Sequence, residues 1–292
     1  MSSARSFLTG IIDYAGLFPP AQLGMSAAVN AYDEYSHGAD KDLLGRFVVP
    51  AARLGELSNS LAQLPHERAS HWKLSVIASD VGDAARVVEQ FNSSRSDGTA
   101  CDSVEMPVKS VDDINNAVDL FAANIELFLE LDLLDDPLPL IREIATTRAS
   151  AKIRTGGVVE SAIPSPSHVL RFMEGCVDEG VPFKATAGLH HLIRGRYPLT
   201  YDVGSATAVM FGFMNVFLAA ALCASGSSEG AVLGALEETD PTAFRFDDRG
   251  FWWQDHFLLH EQLAVVRQNV AVSFGSCSFT EPVSEAKLLH FI

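Results

Sequence analysis

The 292-residue chain predicts an α/β fold, a (β/α)8 or TIM barrel, with an enlarged helical insertion between strands 7 and 8. Three observations carry that expectation. Short apolar runs rich in β-branched and aromatic residues alternate with longer segments of helical spacing, the pattern of a parallel sheet. Eight such runs occur, the number that closes a barrel. No Pro-, Ser- or Gly-rich linker divides the chain, so 1–292 reads as one domain; the strongly polar loop "NSSRSDGTA" (92–100) is too short to separate two.

In chain order the expected strands are "GIIDYAGLF" (10–18), "RFVVPA" (46–51), "WKLSVIAS" (72–79), "DSVEMPV" (102–108), "IELFLELDL" (125–133), "AKIRTGG" (151–157), "VPFKATA" (181–187) and "VAVSFGS" (270–276). Helical spacing marks "MSAAVNAYDEYS", "AARVVEQF", "VDDINNAVDLFA", "PLPLIREIATT" and "SHVLRFMEGCVDEG" between them. Segment 188–269 is the irregular part, with two or three helices where one would suffice. Its stretch "AVMFGFMNVFLAAALCA" (208–224) is the most apolar in the chain, but it carries Gly212 and Asn215 and is short for a membrane span. It reads as a buried helix or as a subunit contact in a homo-oligomer. "FRFDDRGFWWQDHF" (244–257) reads as a lid over the site, or as aromatics packing the insertion onto the barrel or a second subunit.

Composition narrows the function classes. Net charge is −16, and no basic stripe interleaves with aromatics, which argues against nucleic acid as a partner. "MSSARSFLTG" lacks the apolar core of a signal peptide. Cys101, Cys176, Cys223 and Cys277 are scattered and form no CxxC pair, as expected for reduced thiols in a cytoplasmic protein.

In a barrel of this kind, chemistry lies at the C-terminal ends of the strands. Period 2 puts Lys152 and Arg154 on one face of their strand, and Glu126, Glu130 and Asp132 on one face of theirs. Glu105 is the charged residue within "SVEMPV". A lysine in a barrel interior is costly unless paired, and burial or a second cation makes an amine a better nucleophile near neutral pH. Such an amine condenses with a carbonyl to form a Schiff base, and a carboxylate such as Glu105 can move the protons. The plainer reading is that Lys152 and Lys184 reach the barrel mouth and pair with Glu130 or Asp132.

The remaining candidates are weaker. Adjacent residues His190 and His191 point apart and make a poor chelate, even with Asp13 or Glu160 added, so no metal and no cofactor are expected. A single histidine, His190 or His191, contacting substrate is the better reading, with His190 the candidate site residue. Asp13 is either a site residue or a structural acceptor at the barrel mouth. Gly156, Gly157, Gly188 and Gly275 are either turn glycines or part of an anion site, to which Ser276 and Ser278 would add hydroxyl donors. Cys277 reads as a small packed residue, with no histidine partner evident.

Several of these segments resemble one family, deoxyribose-phosphate aldolase, in order along most of the chain. "IIDYAGLFPPAQLGMSAAVNAYDEYSHG" resembles the family's opening "IDHTLLKP" segment, and "SVEMPV" its "IDMVIN" strand, with Glu105 where the family has a catalytic Asp. "LFLELDLLDDPLPLIREIA" resembles the "VILET" strand and the helix after it. "AKIRTGG" is similar to "IKTSTGF", which carries the Schiff-base lysine, and "EGVPFKATAG" to "VGVKASGG", whose lysine tunes the first. "VSFGSCSF" resembles "RIGTSSG", which helps hold the substrate phosphate. The resemblance thus implies Lys152 as nucleophile, Lys184 as its tuning cation and Gly275–Ser276 at the anion.

The departures are informative. Glu105 is longer than Asp. Arg154 stands where the family has a small hydroxyl residue, and its guanidinium suits a carboxylate or phosphate. The double glycine after Lys184 is missing, with His190, His191, Arg194 and Arg196 following, and the insertion is long enough to overhang the site. The expected function is a class I, metal-independent carbon–carbon lyase acting on a small anionic carbonyl compound. The alternatives are an isomerase or decarboxylase using the same pocket without an imine, and an inactive small-molecule-binding barrel.

Overall fold

The computed structural model describes residues 3–65 and 68–292. In chain order the first elements are α1 (Ser3–Leu8), β1 (Ile12–Tyr14), α2 (Met25–His37), β2 (Leu44–Pro50), α3 (Leu54–Leu61), β3 (Lys73–Ile77), α4 (Val81–Ser94) and β4 (Ala100–Pro107). Then come α5 (Val111–Leu120), β5 (Glu126–Glu130), α6 (Leu138–Ala145), β6 (Ser150–Arg154), α7 (Pro166–Asp178) and β7 (Phe183–Thr186). The insertion follows, with β8 (Gly195–Pro198), β9 (Thr207–Met210), α8 (Phe213–Ala224), α9 (Glu229–Glu237), β10 (Phe244–Asp247), β11 (Gly250–Trp253), β12 (His256–Leu259) and α10 (His260–Asn269). β13 (Ala271–Ser276) and α11 (Thr280–Leu288) complete the chain.

Eight of these strands close into a barrel in the order β1-β13-β7-β6-β5-β4-β3-β2, every neighbouring pair parallel. This is the (β/α)8 architecture, and each of the eight expected runs overlaps one barrel strand, with β2, β4 and β6 starting one or two residues earlier than expected. The first differs most in length: only Ile12–Tyr14 pairs, because the chain leaves the sheet through Gly16 and the prolines Pro19 and Pro20, which have no N–H to donate to a ladder.

The helices start where the chain offers caps. Ser110 and Asp113 form a capping box at α5, the Asp80 side chain caps α4, and Ser165 with Pro166 opens α7. Caps of this type contribute about 1 kcal/mol each. An aromatic cluster seals α2 onto the barrel: Tyr32 lies 4.5 Å from Trp72 and 5.4 Å from Phe47, and its hydroxyl donates to the Gly45 carbonyl at 2.7 Å.

The insertion contains the expected helices, and also two small antiparallel sheets, β8–β9 and β10–β11–β12, that periodicity did not reveal. Their strands are four residues long, which gives only two alternations each. Helix α8 is buried from Phe213 to Leu222, so its all-round apolar composition serves the core. Asn215, fully buried, ties the insertion together. Its Oδ1 accepts from the Arg194 N–H at 2.7 Å, and its Nδ2 donates to the Ala235 and Glu238 carbonyls, both at 2.8 Å. Among the described residues no helix is long and apolar enough to cross a membrane. The 244–257 segment packs at the opposite end from the site: the Phe246 ring meets Phe7 of α1 at 6.1 Å and Phe291 at 5.7 Å. Of its two readings, the lid and the packing of its aromatics onto the barrel, these contacts match the second, with Phe246 held against the N-terminal helix by Phe7.

Candidate active site

Alternate residues along each strand point into the barrel, as the pleat requires. Thus Glu126 and Phe128 reach the N-terminal end, where a second cavity opens, while Glu130, two residues on, lines a cavity at the C-terminal end. This C-terminal cavity holds about 290 Å³. Of the residues singled out from sequence, Glu105, Lys152, Arg154, Gly157, Gly188, His190 and Gly275 line it. Lys184, Asp13, Gly156 and Ser276 do not line it. The first two lie beneath its floor, and the last two stand behind its walls.

At the foot of the cavity five ionised side chains alternate in sign. The register of β6 and β7 sets Lys152 opposite Lys184. Both reach Glu105 on β4: Lys152 Nζ lies 2.8 Å from Oε2 and Lys184 Nζ 2.5 Å from Oε1. Lys184 also touches Asp13 Oδ2 at 2.5 Å, and Lys152 touches Glu130 Oε2 at 2.9 Å. The line Asp13–Lys184–Glu105–Lys152–Glu130 therefore runs up through the barrel toward the mouth. Hydroxyls complete the carboxylate shells: Ser75 donates to Glu105 Oε1 at 2.7 Å and Ser273 to Asp13 Oδ2 at 2.9 Å. Asp13 Oδ1 accepts the Arg46 N–H at 2.7 Å, and Gly45 has no side chain because a Cβ there would collide with that oxygen.

Burial alone would push Glu105 toward its neutral form, yet the Lys152 and Lys184 ammonium groups hold its carboxyl well below the usual range. Burial likewise opposes the charge on Lys184, and Asp13 and Glu105 override it and raise its pKa. Lys184, fully buried, is a fixed cation. Removing one partner from a buried set like this costs roughly 3–5 kcal/mol, because the charge left behind has no substitute. The expected snorkelling of the lysines holds in one half only. Lys152 does pair with Glu130, but Lys184 turns inward, and Asp132 points away to accept the Leu134 N–H at 2.9 Å.

Around the cavity, Arg154 ends β6 exposed and makes no ion pair among the described residues. His190 lies against the wall, 8% exposed, and burial with His191 beside it pushes its pKa down to about 4, so it is neutral at pH 7. Its Nδ1 is 3.3 Å from Ser276 Oγ and 3.6 Å from Cys277 Sγ. His191 turns the other way, stacks on Tyr197 at 3.4 Å and pairs with Glu285 Oε1 at 2.6 Å, so the two rings do point apart. Cys277 has a histidine neighbour after all, but burial pushes its thiol up to about 11, which leaves it a neutral packed residue.

Gly156 and Gly188 have a positional duty. A Cβ on either would sit 3.0 Å from the Cα of the other, and Gly188 adopts φ +75 just after Ala187 at φ +64. That pair of left-handed residues turns the chain from β7 toward His190. The insertion contributes Gly188 and His190 to the lining, and its Tyr201 hydroxyl lies 3.6 Å from the sulfur of Cys277 on the wall.

Ser75, Ser273 and Arg46 were not singled out for the site, and Glu130 was named only as a partner for the lysines. Glu130 shares its face with Glu126, a legible signal. The serines had no signal beyond lying two residues from a charged strand position. Among the described residues no group of three or more His, Cys, Asp or Glu side chains is arranged to hold a metal ion. Compared with known proteins, the chain matches no family model and no curated relative.

Proposed function

We propose that the protein is a class I, aldolase-like carbon–carbon lyase acting on a small carbonyl compound with an anionic end. One observation carries this reading: Lys152 and Lys184 meet on the single buried carboxylate of Glu105 at the foot of an open cavity, with Lys152 the one that reaches it. The resemblance of "SVEMPV", "AKIRTGG" and "VPFKATAG" to the corresponding strands of deoxyribose-phosphate aldolase supports the same roles.

In this reading Lys152 first loses its proton. Glu105 already accepts from two ammonium groups and Ser75, whereas Glu130 has one cationic partner, so Glu130 is the better acceptor. The free amine adds to the substrate carbonyl carbon, and loss of water from the carbinolamine leaves a protonated imine. A base then takes the proton of the hydroxyl β to that imine. The Cα–Cβ bond breaks, an aldehyde leaves, and the electron pair becomes an enamine. Protonation of the enamine at carbon and hydrolysis release the second product and restore Lys152. Lys184 stays charged throughout as the positive neighbour across Glu105, and Arg154 pairs with the anionic end of the substrate.

The test is retro-aldol turnover on a panel of β-hydroxy carbonyl acids and phosphates. Lys152→Ala is expected to lose at least roughly a thousandfold in kcat/KM. Activity within tenfold of wild type would sink the imine mechanism. The clamp of Lys152 between Glu105 and Glu130 favours a second reading, in which the amine stays an ammonium and stabilises an enediolate for isomerisation or decarboxylation. Full turnover in the presence of borohydride would select that one.

A further inference from the structure

Resting on that reading, we propose that the substrate is an oxo acid built on a short branched or aromatic carbon chain, apolar apart from its carboxylate and the one hydroxyl the cleavage requires, and not a polyhydroxylated sugar phosphate. Most of the lining is apolar, with Phe18, Val48, Ile77, Met106, Pro107 and Val158 offering no side-chain hydrogen bond, and the polar side chains are few: Glu105, Glu130, Thr186 and His190 beside Lys152 and Arg154. Substrate hydroxyls set against the apolar part would be unpaired, at a cost of roughly 1–3 kcal/mol each. Apolar groups gain by the same burial.

Thr186 is the one hydroxyl residue in the lining, and it donates to the Ile153 carbonyl at 3.4 Å, while the hydroxyls nearby each have a protein partner. Thr155 Oγ1 donates to the Ala187 carbonyl at 2.8 Å, and Ser276 Oγ lies 3.3 Å from His190 Nδ1. Ser278 Oγ accepts the Glu281 N–H at 3.2 Å. The place after β13 where a phosphate would meet the start of α11 is filled from within. Glu281 occupies the first turn of that helix, and its carboxylate accepts the Tyr201 hydroxyl at 2.8 Å. A second anion there would face like charge.

That leaves Arg154 as the cation for the acid group. It follows Lys152 by two residues on the same strand face, a backbone separation of roughly 7 Å, which a chain of about four to six carbons spans. The volume of about 290 Å³ admits a compact molecule of that size. A planar guanidinium suits a carboxylate in a bidentate fork.

Binding by calorimetry separates this inference from the imine chemistry, because unreactive probes need no lysine attack. The probes are 4-methylpentanoate and glycerol 3-phosphate. Wild type is expected to bind 4-methylpentanoate at least tenfold more tightly than glycerol 3-phosphate, and Arg154→Met is expected to weaken 4-methylpentanoate binding at least tenfold. Equal or tighter binding of glycerol 3-phosphate, or no binding of either, overturns the inference. Parallel incubation with 5-oxohexanoate, whose carbonyl stands far enough from its carboxylate to reach Lys152 while Arg154 holds the acid, and cyanoborohydride reads the imine. If 4-methylpentanoate binds selectively and no adduct forms, the substrate class stands and the Schiff-base reading falls.

Discussion

At the residue scale the site is organised by Glu105, whose side chain is one methylene longer than an aspartate's. The extra methylene lets Glu105 divide its two oxygens between two ammonium groups, one per lysine, while Ser75 completes the shell. Lys152, Lys184 and Glu105 were legible because charged residues inside short apolar strands are costly and need partners. That Glu105 would be the shared partner was not legible, since it lies 79 residues from Lys184 and only the barrel brings them together. The same distance in sequence hid the pairing of His190 with Cys277, 87 residues apart. His190 carries a pH prediction. Its pKa falls from 6.5 to about 4 on folding, so between those values the unfolded chain binds more protons than the native one, and stability rises with pH. Urea unfolding of wild type and His190→Asn at pH 4, 5.5 and 7 checks this. The stability difference between them should shift against wild type by roughly 3 kcal/mol as pH falls from 7 to 4. Parallel profiles would show that His190 does not titrate as described.

At the element scale, the strands and outer helices could be read from period alone, because each buries one face against a layer that repeats eight times. The insertion could not. Strands of four residues carry too little alternation, and α8 is apolar on all sides because it is buried on all sides. The turn after β7 shows how an element end sets the site. Ala187 and Gly188 both take positive φ, and Gly188 passes Gly156 at a distance that leaves no room for a side chain. Gly188→Ala adds a left-handed strain and a 3.0 Å contact with the Gly156 Cα. It should lower stability by about 1–3 kcal/mol in urea unfolding. It should also weaken binding of a small acid at the cavity, whose wall it moves. A change below about 0.3 kcal/mol would mean the turn relaxes freely.

On the scale of the whole molecule, the barrel interior is a polar column with a cavity at each end. The alternating charges Asp13, Lys184, Glu105, Lys152 and Glu130 fill its middle, and Lys152 and Glu130 line the cavity at its upper end. Fold alone does not assign a reaction, because the same barrel hosts many. The claim that matters is that Lys152 is the nucleophile. The most direct measurement is reductive trapping followed by peptide mapping. The protein is incubated with small aldehydes and oxo acids under cyanoborohydride, digested, and sequenced by tandem mass spectrometry. The account predicts a reduced adduct on the peptide bearing Lys152, none on Lys184, and loss of that adduct in Lys152→Ala. No adduct at Lys152 across the panel, or labelling that persists undiminished in Lys152→Ala, would contradict it.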